Sequence, residues 1–155
     1  MEVERLTVPQ LLQRHASTRA DHPFVVTEDG AITYAALDER SHAVAEHLVE
    51  LGVTAGTRVG LLMANGIEWA VLAFGAMRIG AVLVPLSTLL TPPELAANLR
   101  AAGVEHLVVA PRTRSRDHLA DLRAVAPTLS PDRAPLREPA LPRLRSIDVC
   151  DPSTP

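Results

Sequence analysis

The chain has 155 residues, enough for one ordinary domain, and 47% of them are hydrophobic, which favours a packed core over disorder. Its net charge is −3 and all 15 basic residues are arginine, so there is no electrostatic case for nucleic acid and no mechanism that needs a lysine. A single cysteine, Cys150, excludes an internal disulfide. The acidic start "MEVE" reads against a signal peptide, and the uncharged run Trp69–Met77 is too short for a transmembrane segment, which needs about 20 residues. A cytoplasmic chain is expected.

Phe24–Val26 and Ile32–Tyr34 flank "TEDGA", where Asp29-Gly30 has the composition of a two-residue hairpin turn. Thr33 is placed to cap a helix. Leu37, Ser41, Val44, Ala45, Leu48 and Leu51 follow its period, with His42, Glu46 and Glu50 towards water and Gly52 as the left-handed stop. Val59–Met63 reads as an apolar strand. Asn65 and Glu68 have capping-box spacing for a helix from about Gly66 to Ile79, whose middle "WAVLAFGAM" is apolar nearly all round. "AVLVP" is a second strand, and "TPPE" at Thr91–Glu94 opens another helix that buries Leu95, Leu99 and Ala102 and stops at Gly103. "VEHLVV" is a third strand.

Apolar strands alternating with helices predict an α/β chain: a β-hairpin followed by a βαβαβ layered parallel sheet over residues 1–110, with strands buried on both faces. Residues 111–155 differ in kind, holding eight of the 13 prolines and none of the eight glycines. There "RDHLADLRAVA" reads as a short helix, "RLRSIDVC" as a strand, and "PTLSPDRAPLREPALP" as an extended surface connection continuing the same domain.

Few groups here could carry chemistry. His42 and His47 are five residues apart, about 140° round a helix, so with Glu46 they read as solvated side chains and not as metal ligands. His15, His22, His106 and His118 build no constellation. Ser87 and Thr88 follow a parallel strand, where α/β proteins place ligands, but loop hydroxyls more commonly satisfy their own backbone. "RTRSR" at Arg112–Arg116 could hold a phosphate, although such arginines are usually solvated, and Trp69 reads as core. Gly52, Gly56 and Gly60 form no phosphate-binding fingerprint. No catalytic, cofactor-binding or metal residue is assigned.

In order and spacing, "TYAAL", "GTRVGLLMANGIEW", "GAVLVPL" and "LTPPEL" resemble the start of the AMP-binding adenylate-forming superfamily, in its acyl-CoA synthetase (fatty-acid–CoA ligase) branch. The tail "SRDHLADLRAVAPTL…LPRLRSIDV" is similar to the same region of those enzymes. The resemblance runs from about Leu6 onwards and implies the first part of a large N-terminal domain. It also implies, for a full-length enzyme, ATP, CoA and Mg acting on a carboxylic acid substrate. The phosphate loop, adenine pocket, hinge and catalytic lysine of that family come later in sequence. The chain therefore reads as a truncated fragment of fatty acid metabolism that is inactive alone and stops before the phosphate loop, with a separately encoded remainder of the enzyme as a candidate partner. A non-catalytic partner-binding or regulatory module is the alternative, and an unrelated Rossmann-like domain a third reading. Apolar faces left uncovered should make the isolated chain poorly stable.

Overall fold

In the computed structural model, which describes residues 6–113, 116–128 and 136–150, the elements run in chain order as follows. They are α1 (Val8–Thr18), β1 (Pro23–Thr27), β2 (Gly30–Thr33), α2 (Tyr34–Glu50), β3 (Arg58–Leu62), α3 (Ile67–Arg78) and β4 (Val82–Leu86). Then come α4 (Pro92–Ala102), β5 (His106–Val109), β6 (Arg112–Thr113), β7 (Arg116–Asp117), α5 (His118–Val125) and β8 (Ser146–Val149). They form two compact units: residues 1–55 with 65–81, and residues 56–64 with 82–155.

The first unit holds α1, the β1–β2 hairpin, α2 and α3. α1 has its own start signal, not picked out from the sequence: Pro9 in the first turn, and Thr7 and Gln10 closing a capping box in which the Thr7 N–H donates to Gln10 Oε1 at 2.9 Å. The hairpin is as expected but its turn is one residue earlier. Thr27 pairs with Gly30, so Glu28-Asp29 form the loop and Gly30, at φ +153°, is the first residue of the returning strand. Thr33 does cap α2, its hydroxyl accepting the Ala36 N–H at 3.2 Å. At the other end Gly52, at φ +85°, lets the Val53 N–H reach back to Leu48 O at 2.9 Å. Leu12, Ile32, Leu37, Ala70 and Val71 form the buried core of this unit.

α3 starts differently from expectation. Gly66 is its cap residue and no side chain caps it. Glu68 instead takes both its oxygens to Arg40 on α2, each 2.7 Å from Nη2. A fork-like ion pair to another helix has displaced the local capping box. Trp69 lies in the first turn of α3 and is half-buried, so it is not a fully enclosed core residue.

The second unit is built on a four-stranded parallel sheet in the order β4-β3-β5-β8. The expected parallel α/β arrangement is present, with the strand read from "RLRSIDVC" added as its fourth member and α5 at the predicted helix. β3 and β5 are enclosed: Val59, Leu61, Leu107 and Val109 are fully buried. β4 is not, because it is an edge strand, with Val82 47% exposed and Pro85 exposed. Burial on both faces therefore holds for the central strands only. The "TPPE" start is as read: the Thr91 N–H and hydroxyl donate to Glu94 Oε2 at 2.8 and 2.7 Å.

Leu62, Leu86, Leu95, Leu99, Leu107 and Leu122 lead the core on one face of this sheet. Leu141, 2% exposed, belongs to that same core, and so does Leu144 from the stretch read as a strand. The described part of the proline-rich connection is thus partly interior, and not the surface run its composition suggested. Residues 129–135 of that connection lie outside the described residues.

Candidate functional site

In an open parallel sheet, ligands bind outside the carboxyl ends of the strands, where successive connections leave in opposite directions. Here β3 lies between β4 and β5, so that point falls where β3 and β5 end. The chain supplies little chemistry there. Met63 is buried, Ala110 is buried, and the Ala110 N–H is used by Leu62 O at 3.0 Å.

The loop after β4 and the start of α5 form a polar cluster. Ser87 Oγ accepts the Leu89 N–H at 3.2 Å, which is the local backbone role expected of a loop hydroxyl. Arg116 donates from Nη1 to Leu89 O at 3.1 Å and from Nε to Asp121 Oδ2 at 2.6 Å, so it ties this loop to α5. Asp117 caps α5 by accepting the Ala120 N–H at 2.9 Å, and that hydrogen bond holds its carboxyl below the usual carboxylate range. Arg112 is largely exposed and lies 3.6 Å from Asp117. Of the two described arginines of "RTRSR", one is thus occupied structurally and the other is solvated; residue 114 lies outside the described residues.

His118 sits under this cluster, 1% exposed, with Nδ1 4.0 Å from Asp121 Oδ2 and a buried Nε2 that has no hydrogen-bond partner among the described residues. Burial pushes its pKa down, against the opposing pull of Asp121. The neutral imidazole is the form this site accepts.

The opposite face of the same sheet carries a second polar group that sequence reasoning missed. His106 and Ser146 face each other across β5 and β8, with Nδ1 and Oγ 2.8 Å apart, and the Ser146 hydroxyl lies 3.3 Å from Asp148 Oδ2. Burial again lowers the His106 pKa. The serine lies between the other two, with the histidine and the carboxylate both on its hydroxyl. The order needed to activate a nucleophile would instead place the histidine between serine and acid. The group is a buried link between two strands.

In the first unit, Arg78 is buried against Asp38 and donates to Ser41 Oγ at 3.0 Å. An open groove of about 860 Å³ is lined by residues including Thr7, Gln10, His42, Glu46 and Arg78. His42 stands 3.6 Å from Glu46, and His47 stands 4.0 Å from Glu50, so the three groups weighed as metal ligands form separate helix pairs. His15 and His22 do converge: their rings lie 5.1 and 6.1 Å from that of Tyr34. Among the described residues, no three His, Cys, Asp or Glu side chains are grouped to hold a metal ion. Nor is any described helix long and apolar enough to cross a membrane.

The sequence model of the AMP-binding enzyme family matches residues 12–150. The long-chain-fatty-acid–CoA ligase of Salmonella typhimurium is 38% identical over 100 residues, covering 63% of this chain. A long-chain-fatty-acid–CoA ligase of Mycobacterium tuberculosis is 35% identical over 100 residues, covering 64% of this chain. This chain spans only 18% of the length of each. Among solved structures, the anthranilate CoA ligase AuaEII, in complex with anthranoyl-AMP, superposes with a TM-score of 0.76 at 28% identity over 94% of this chain and 25% of that one. The N-terminal domain of FACL13 from Mycobacterium tuberculosis gives a TM-score of 0.78 over 94% of this chain and 34% of that one; at 23% identity it speaks to the fold alone.

Proposed function

The chain belongs to the AMP-binding enzyme family, and we propose that it is the N-terminal part of a cytoplasmic, ATP-dependent acyl-CoA synthetase, inactive by itself. The complete enzyme would join a carboxylic acid to CoA with cleavage of ATP to AMP and pyrophosphate. A fatty acid is the acid class suggested by the names of the Salmonella typhimurium and Mycobacterium tuberculosis relatives.

The donor set carries the second half of this reading. ATP with Mg brings four phosphate charges and a cation that takes oxygen ligands. Against this the sequence offers no lysine. Among the described residues, Arg116 is held by Asp121 and Leu89, Ser87 by its own loop, and no three His, Cys, Asp or Glu side chains are grouped for a cation. These residues do not fit the nucleotide or its metal, and no catalytic step is derived through them. The role left to this chain is to supply a folded part of the sheet on which the rest of the enzyme is built. Titration of the purified chain with ATP and Mg should give no saturable heat, and acid-dependent ATP–pyrophosphate exchange should be absent. Saturable binding with exchange would overturn the reading.

A non-catalytic α/β module is the second reading. It is supported by the buried apolar cluster in each unit, with fully buried side chains such as Leu37 and Leu107. It requires that the chain alone unfold cooperatively; a molten state that binds hydrophobic dyes would contradict it.

A further inference from the structure

We infer that the second unit carries a binding pocket for a small monocarboxylate whose apolar body is the size of one aromatic ring, at the amino ends of β5 and β8. The pocket holds about 140 Å³ and is lined by Leu99, Arg100, Val104 and residues 141–144. It lies between the end of α4 and the turn that leads into β8. That is the end of the sheet opposite the carboxyl ends, where open parallel sheets usually take ligands.

Its walls are apolar. Leu99, Val104, Leu141 and Leu144 are each no more than 2% exposed, and their side chains offer water no hydrogen bond. The carbonyls beside them are already used. Leu99 O takes the Val104 N–H, Arg100 O the Gly103 N–H and Leu141 O the Leu144 N–H, each at 3.0 Å. An apolar cavity of about 150 Å³ stays dry and binds benzene, so the space here matches one ring.

The mouth is cationic. Arg143 is exposed and lies across Gly103, where an added Cβ would stand 3.4 Å from its Cδ and 3.5 Å from its Nη1. The same point is 3.7 Å from Arg58 Cδ, so two arginine stems converge on one glycine. Because the helix-end carbonyls already have donors, Arg143 is not needed to cap α4. Among the described residues its guanidinium has no hydrogen-bond or ion-pair partner. Arg100 makes one long bond, from Nη1 to Ala140 O at 3.4 Å. The carboxylate of Glu105 is taken by Arg145 Nη2 at 3.4 Å and by the Arg58 N–H at 3.3 Å.

Unneutralised guanidinium above an apolar floor selects an anion with an apolar body. A guanidinium fork suits carboxylate and phosphate alike. Phosphate, however, carries its oxygens on every side and has no surface to give the leucines. A monocarboxylate puts its charge at one end and leaves the ring to the pocket.

The test titrates the purified full chain with benzoate at constant ionic strength and follows the amide proton and nitrogen shifts. Saturable shifts centred on Val104, Leu141 and Leu144 are expected. Benzyl alcohol, which keeps the ring and drops the charge, and inorganic phosphate, which keeps the charge and drops the ring, should each bind about tenfold more weakly or worse. Arg143→Gln should weaken benzoate about tenfold and leave benzyl alcohol unchanged. Arg112→Gln, at a solvated arginine outside the pocket, should change neither. Circular dichroism of each variant checks that its fold is retained. Benzyl alcohol as tight as benzoate would leave an apolar cavity without an anion site, and phosphate as tight would leave an anion site without a pocket; either overturns the inference. So would an unchanged affinity in Arg143→Gln, shifts centred elsewhere, or a chain whose Leu141 and Leu144 amides show no dispersed signals and hence no formed pocket. These readings involve no ATP chemistry, so their failure is separate from failure of the proposed enzyme role.

Discussion

Gly75 on α3 lies so close to Val44 on α2 that a Cβ added to it would stand 2.4 Å from Val44 Cγ1 and 2.7 Å from Val44 Cβ. Glycine is therefore required by contact between two helices, since its backbone is ordinary helix. Valine is stiff about its first torsion and cannot swing aside. Gly75→Ala should destabilise the chain by about 1–3 kcal/mol, the usual cost of overpacking. Adding Val44→Ala should recover part of this and not all, because the remaining Cβ still obstructs. Urea unfolding of the two single variants and the double variant measures the non-additivity.

Two residues that look alike in sequence should respond differently to truncation. Thr33 accepts the Ala36 N–H at the start of α2, whereas Asn65 makes no cap on α3. Thr33→Ala should cost about 1 kcal/mol and Asn65→Ala close to nothing, as read by urea midpoints. Equal losses would restore the capping role expected of Asn65.

Acid should weaken the chain in a window set by its buried histidines. His118 faces Asp121, Asp117 and Arg116, and His106 faces Asp148, Glu105 and Arg145, and in both burial is the leading cause of a pKa below 6.5. A histidine with a lowered folded-state pKa binds fewer protons folded than unfolded, so stability rises with pH across the gap. The contribution is complete above 6.5 and is lost as pH falls from there towards the lowered value. Unfolding free energy measured from pH 7.5 to 5 should fall, and more gently in His118→Leu. An identical slope in that variant would show that His118 does not titrate on unfolding.

What could be read in advance was what is local. Thr91 and Glu94 are three residues apart, and their capping box forms as the sequence indicates. The same spacing misled at Asn65 and Glu68 because Arg40, 28 residues away, offers Glu68 a stronger partner. Burial of β4 was overestimated since edge position is a property of sheet order, which composition does not carry. Leu141 reaches the core from a proline-rich stretch with no periodicity to mark it. His106 and Ser146 meet across 40 residues, and only the parallel register of β5 and β8 brings them together. The Arg116–Asp121–His118 cluster had a visible signal in the three-residue spacing of His118 and Asp121 on a helix.

The central claim is that this chain is a scaffold of an adenylate-forming enzyme and holds none of its nucleotide chemistry. Acid-dependent ATP–pyrophosphate exchange by the purified chain tests it most directly. No exchange above the rate without acid is the predicted result. Acid-dependent exchange by the chain alone would contradict the account.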